Sequence, residues 1–320
     1  MADLQEPSAG WIPVSSCEAV LSHPLDILMA VDGSDESMAA FHYLVNDVLQ
    51  RERDTRIDVL HIYDNSKDYL PPAYRKDHIF SQVESELISS VLSHRYKFSW
   101  QEKKEPAGEM ICTHIKQSNS NFVCMGFRGL KRKDRMLASN VYEVLQHGRC
   151  SLIIFKESPS RLSIGRPTKF VVSASLNKSS TKAFLDALQL SKPGDEVHVV
   201  YVNTDPQSKY AAQLREHYRS FFDGLDHGDN EVYHKFHDRQ TQFHILIRQE
   251  GESISQSVVR YADSIDADFI AVGTNALRVE RGKTPIGSVS LQICTETETN
   301  IVISSWVDVS PRVYDANVRH

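Results

Sequence analysis

Three short clusters carry groups able to hold a polar or charged ligand. Asp32-Gly33-Ser34 follows the apolar run Ile27–Val31, so a carboxylate stands where a buried strand gives way to a turn. Such a carboxylate can accept hydrogen bonds from an amino group and from ring or ribose donors of a nucleotide. Taken alone, an Asp at such a position more often forms an Asx turn or caps a helix. Gly126-Phe127-Arg128-Gly129 follows another apolar run, Asn121–Met125. A Gly-x-x-Gly turn lets backbone N–H groups converge on a phosphate, although most copies are ordinary turns. Ala138-Ser139 then opens a helix, adding a hydroxyl and the unpaired N–H groups of a helix start. Between them lies a basic stretch with Lys131, Arg132, Lys133 and Arg135. It suits steering of phosphates, or plain solubility.

The elements that must position these groups occur twice. DILMAVDGSDESMAAF ends at Phe41 and KFVVSASLNKSSTKAF at Phe184, 143 residues apart. Gly126 and Gly273 are 147 apart, and Ile154 and Ile303 are 149 apart. Offsets that grow slowly and keep their order describe two copies with small loop insertions. Each copy alternates short apolar runs with helical spacing, which predicts crossover connections, a parallel sheet and helices on both faces. In the first copy the expected strands are Ile27–Val31, Ile57–Tyr63, Tyr96–Trp100, Asn121–Met125 and Leu152–Phe155. One helix runs through Met38–Leu49, another through Val83–Leu92, and a third holds Val141–Leu145. In the second copy the strands are Phe170–Ser173, Val197–Val202, Phe243–Ile247, Phe269–Val272 and Ile301–Ile303. Helices pass through Phe184, Leu214–Phe222 and Ile254–Tyr261, and a last one starts at Ser288. The division is a tail over 1–23, a first domain over 24–157, a linker over 158–166, a second domain over 167–306 and a tail over 307–320.

Composition narrows the function. The 320 residues carry 36 Lys and Arg against 42 Asp and Glu, a formal charge of −6, which argues against a nucleic-acid-binding surface. No run of 18 apolar residues is present, and the first sixteen residues lack a basic start and apolar core, so neither membrane span nor secretory leader is expected. Cys17, Cys112, Cys124, Cys150 and Cys294 form no C-x-x-C pair and read as buried thiols of a cytoplasmic protein. No nucleophile elbow or Walker motif occurs, and no catalytic group or metal ligand set is assigned. His227, His234 and His237 lie close in sequence, without Cys or Glu at ligand spacing, and read as a polar surface segment.

Taken together, AVDGS, LHIYD, Gly-x-x-Gly and the small-residue–Ser pairs Ala138-Ser139 and Gly287-Ser288 resemble the universal stress protein family. The resemblance spans about 24–156 and 167–305. It implies two tandem doubly wound domains, each a five-stranded parallel sheet in the order 3-2-1-4-5, paired within the chain through their last strands. Further homodimerisation is compatible with it. In the nucleotide-binding branch of the family this site takes ATP, so the implied ligand is ATP or a related adenine nucleotide, with Mg2+ as a candidate companion ion. Asp32 would contact the adenosine, with Ala30, Val31 and Ile62 as walls. Gly126 and Gly129 would approach the phosphates, Ser139 would hold the terminal ones, and Lys131 and Arg132 would add charge. The sequence departs from the family pattern in both halves. Ala138 replaces a Gly, and eight residues rather than nine precede it. In the second half Ser175 stands for the Asp and Ala276 for the second Gly, while Val202, Gly273, Gly287 and Ser288 are kept, leaving a weaker anion site. The expected function is a non-catalytic or slowly turning-over nucleotide sensor. The alternative is a protein-interaction scaffold that kept the fold and lost the ligand.

Overall fold

Short runs of β-branched and other apolar residues bounded by polar turns become inner strands of a parallel sheet, because helices cover both faces. The computed structural model describes residues 14–51, 55–66, 69–127, 139–147, 150–156, 166–204, 209–227, 231–275 and 286–306. The first half contains β1 (Asp26–Val31), β2 (Arg56–Tyr63), β3 (Tyr96–Glu102), β4 (Phe122–Gly126) and β5 (Ser151–Phe155). Its helices are α1 (Val14–Ser22), α2 (Asp35–Tyr43), the short α3 (Leu49–Arg51), α4 (Lys76–Ser90), α5 (Ala107–Ser118) and α6 (Ser139–His147). The second half contains β6 (Lys169–Ser173), β7 (Glu196–Asn203), β8 (Gln240–Ile247), β9 (Phe269–Asn275) and β10 (Asn300–Trp306). With these go α7 (Lys178–Leu190), α8 (Tyr210–His227), α9 (Glu231–His234), α10 (Ile254–Ser264) and α11 (Ser288–Glu296).

Among the described residues ten strands form one sheet, in the order β3-β2-β1-β4-β5-β10-β9-β6-β7-β8. Each half therefore reads 3-2-1-4-5 from its outer edge inward, as expected. All neighbours run parallel except β5 and β10, which are antiparallel with Ile154 opposite Ile301 and Leu152 opposite Ile303. This seam covers two apolar strands that would otherwise be unpaired edges. One face of the sheet packs Phe41, Leu44, Val83, Phe184 and Tyr218; the other packs Ile111, Val141, Val258 and Ile293. Both cores run across the seam.

Three local features differ from the sequence reading. α5 is absent from it: the buried side of this helix includes Gly108, Cys112 and His114, which hide an apolar stripe. α4 stops at Ser90, and Val91 turns to extended backbone (φ −128°, ψ 137°) while staying buried. α1 lies in the stretch assigned to the N-terminal tail, with Cys17 and Leu21 buried against the first core.

Candidate functional site

The connections leaving β1 and β4 depart to opposite faces of the sheet, so their carboxyl ends part and leave a crevice. A cleft of about 80 Å³ lies there, lined by Ala30, Val31, Asp32, Ile62 and Gly126 among others. These five residues come from three strands and the turn after β1. Leu60, Met125 and Ile111 extend the apolar wall, and Ser34, Ser37 and Asn140 add polar groups. The sequence reading gave none of these six a ligand contact. Asn140 follows the expected Ser139, and Ile111 belongs to the helix that went unread.

The turn after β1 is held by its own side chains. Asp32 Oδ1 accepts from Ser34 N at 3.0 Å and from Ser34 Oγ at 2.5 Å. Ser34 in turn caps α2, its Oγ accepting from Ser37 N at 3.4 Å. Asp32 therefore does form an Asx turn, but through one oxygen; among the described residues Oδ2 accepts no hydrogen bond. Gly33 has φ +80°, a left-handed value that a side chain resists, and a methyl group there would also come within 2.9 Å of Ile79 Cδ1. At Gly126 an added methyl would lie 3.1 Å from Ser37 N and Glu36 Cβ, so the glycine lets the first turn of α2 approach the end of β4.

Behind the cleft, His61 Nδ1 lies 2.8 Å from the Val31 carbonyl. Burial holds the His61 pKa below its ordinary value, so the ring is neutral near pH 7 and donates to that carbonyl. On β2 and α5, His114 Nε2 sits 2.7 Å from Asp58 Oδ2, and Ser99 Oγ donates to Asp58 Oδ1 at 2.9 Å. Burial alone would raise the Asp58 carboxyl; the bonds and charges of His114, Ser99 and Lys97 hold it below the usual carboxylate range. The order of contacts places a carboxylate between a serine and an imidazole. A nucleophilic triad needs the imidazole between the other two.

Ser139 begins α6 and is exposed; its neighbour Asn140 is the one that lines the cleft. Gly129, Lys131, Arg132 and Ala138 lie outside the described residues, as does Ala276 of the second half.

The second half uses the same backbone positions differently. Ser175 is exposed, and its turn closes on itself: Asn177 Nδ2 donates to Ser175 Oγ at 2.5 Å, and Ser180 Oγ donates to the Ser175 carbonyl. Val202 is buried. At Gly273 an added methyl would lie 2.4 Å from the carbonyl carbon of Ser179, so α7 sits hard against the end of β9. Gly287 caps α11 with φ −69°, a value open to any residue, and Ser288 is exposed beside it.

Solved structures are similar across nearly the whole chain. A universal stress protein from Archaeoglobus fulgidus DSM 4304 is 16% identical, covers 88% of this chain and 97% of its own, and superposes with a TM-score of 0.57. A functionally unknown protein from Pseudomonas aeruginosa PAO1 is 13% identical, with 90% and 94% covered and a TM-score of 0.58. A universal stress family protein from Arabidopsis thaliana, solved with AMP bound, is 16% identical over 44% of this chain and 97% of its own, with a TM-score of 0.31. No curated protein matches. No described helix is long and apolar enough to cross a membrane. The universal stress protein family model matches twice, at residues 25–156 and 168–304, once on each half of the sheet. By that double match the chain belongs to the universal stress protein family, as a tandem two-domain member.

Proposed function

We propose that the first half binds an adenine nucleotide in the β1/β4 cleft and acts as a non-catalytic sensor of it. The observation that carries this reading is the convergence of Ala30, Val31, Asp32, Ile62 and Gly126 on one cleft at the switch point. The residues suit the ligand's parts. Aliphatic walls accept a flat base, and the Asp32 carboxylate accepts from amino, ring or ribose donors. The enclosed volume of about 80 Å³ is well below the roughly 300 Å³ of a whole small-molecule pocket, so it takes the ring part of the ligand. The sugar and phosphates extend past Gly126 and Gly129 towards Ser139 and Asn140, with Lys131 and Arg132 supplying charge. Gly287, the counterpart of Ala138 in the second half, has a negative φ that alanine also adopts.

Ser175, Val202, Gly273, Gly287 and Ser288 make the second half at most a weak anion site. The Asp58–His114–Ser99 arrangement gives no reason to assign hydrolysis. Calorimetric titration of the whole chain with AMP, and with ATP in the presence and absence of Mg2+, tests the reading. Binding that weakens about tenfold or more in Asp32→Ala, by loss of charge-assisted hydrogen bonds, is expected. Ser139→Ala should weaken ATP more than AMP. No binding below millimolar nucleotide, or binding indifferent to both substitutions, favours the scaffold reading instead.

A further inference from the structure

We propose a site for a divalent transition-metal ion, Zn2+ or one of like preference, at the outer edge of the second half, held by His198, His244 and Tyr261. It shares no residue with the β1/β4 cleft and does not depend on the nucleotide reading. Alternation along two parallel strands sets it up. In the register of β7 and the edge strand β8, Val200 pairs with His244, two residues on from His198. Both imidazoles therefore stand on one face of the sheet as diagonal neighbours. α10 packs over that face and brings Tyr261 to them, its ring centroid 5.1 Å from that of His244.

The donor atoms converge on one lone pair. His198 Nε2 lies 3.0 Å from Glu196 Oε2, so the neutral ring carries its proton there and leaves a lone pair on Nδ1. That Nδ1 lies 3.0 Å from the Tyr261 hydroxyl and 3.3 Å from His244 Nε2. Two donors contend for a single acceptor, and the second of these contacts is long for a hydrogen bond. A metal ion resolves the contest, because all three atoms can face it as ligands. Two nitrogens bound at about 2.05 Å to one tetrahedral Zn2+ stand about 3.3 Å apart, the separation found between the two histidines.

Glu196 orients the site without being a ligand. Metal-binding histidines commonly give their second N–H to a carboxylate, which fixes the tautomer and makes the other nitrogen a better donor. Imidazole nitrogens suit Zn2+ or Cu2+, where Mg2+ and Ca2+ want oxygens alone. His198 is buried and anchors the site, while His244 and Tyr261 are half-buried and leave the ion a way in. Three protein ligands keep a fourth position for water. Tyr261 binds after its proton leaves to solvent. Burial and the Glu196 charge push that hydroxyl above its ordinary value, so Tyr261 is the weakest of the three ligands.

Zn2+ alone is the probe, titrated calorimetrically into the whole chain after dialysis against a chelator. About one ion per chain should bind at micromolar concentration and raise the melting temperature. His244→Gln keeps a hydrogen-bond donor at a half-buried position, so the metal-free variant should melt as the parent does. It should nevertheless abolish the rise and weaken binding about a hundredfold, against about tenfold for Glu196→Gln, because a ligand is lost and not merely its support. Tyr261→Phe should weaken binding several-fold and alter the visible spectrum of the Co2+-loaded protein. His234 and His237 are exposed with ring centroids 4.7 Å apart, so His237→Gln is the control and should change nothing. The absence of binding below millimolar Zn2+ overturns the proposal. So does binding unmoved by His244→Gln, or binding that His237→Gln weakens as much.

Discussion

Asp58 on β2 and His198 on β7 occupy the same place in the two halves, since Ile57 pairs with Ile27 and Val197 with Phe170 at the start of each strand pair. Asp58 there is an acceptor shared by His114 and Ser99. His198 instead contacts Tyr261 at 3.0 Å, His244 at 3.3 Å and Glu196 at 3.0 Å. Tyr261 stands where the first half has His114, and His244 where it has Ser99. The seam shows the same exchange. Tyr43 on α2 packs between Phe155 and Phe269, with ring centroids 5.3 and 5.7 Å away. Its counterpart Asp186 on α7 is 0% exposed, accepts from Ser151 Oγ at 2.5 Å and pairs with Lys182. One backbone thus tolerates either an ion pair or an aromatic cluster at a repeated position, provided each buried polar group finds its own partner. At the strand ends the halves differ in backbone approach: a methyl added at Gly126 would lie 3.1 Å from the α2 backbone, and one added at Gly273 would lie 2.4 Å from that of α7.

The seam gives the largest expected effect. Asp186→Ala removes the partner of the mostly buried Lys182 and should cost about 3 kcal/mol, read as a lower urea midpoint with unchanged slope. Tyr43→Ala should cost a similar amount by opening a cavity among Phe155 and Phe269. If Asp186→Ala is harmless while Tyr43→Ala is not, the two seam contacts are not equivalent supports. Next come the two glycines. Gly273→Ala should destabilise by about 3 kcal/mol because backbone must move, and Gly126→Ala by about 1 kcal/mol because the contact is merely tight. Equal costs would erase the proposed difference in helix approach.

Acid should act unequally on the buried pairs. Burial depresses His217 to about 4 and, with the neighbouring His198, lowers His244. Each imidazole is neutral in the fold and protonates more readily when unfolded. Their stabilisation is therefore complete above the unfolded value near 6.5 and is lost as the pH falls below it. Asp58 has a lowered folded pKa, so its contribution persists at pH 5 and disappears only below the ordinary carboxylate range. Denaturation at pH 7 and pH 5 should show a loss of stability that is smaller in His217→Leu. The loss should be unchanged in Asp58→Asn, which is nevertheless less stable than the parent at both values. The smallest effect expected is none at all. Ser175→Asp combined with Leu176→Gly restores the side chains of the first turn to the second half, yet calorimetry should find no new nucleotide binding there. A gain would show that side chains, and not the seating of α7, keep that half closed.

Periodicity along the chain was enough to read the two copies and their inner strands, because strands buried on both faces must be apolar throughout; the strand order followed from the resemblance to the family. The same resemblance implied that Ala30, Val31, Asp32, Ile62 and Gly126 share one crevice, and topology agrees, since residues that end neighbouring parallel strands are neighbours. α5 escaped for the opposite reason: Gly108, Cys112 and His114 are buried by close packing and by a carboxylate partner, neither of which hydropathy registers. Only the tertiary structure decided how closely α2 and α7 approach the strand ends, because tenths of an ångström are set by packing across the whole sheet. The same holds for a cavity at the amino ends of the strands. Thr55, Arg95, Gln189 and Lys235 are scattered over 180 residues of unremarkable sequence, and they line one cavity only where the two halves meet.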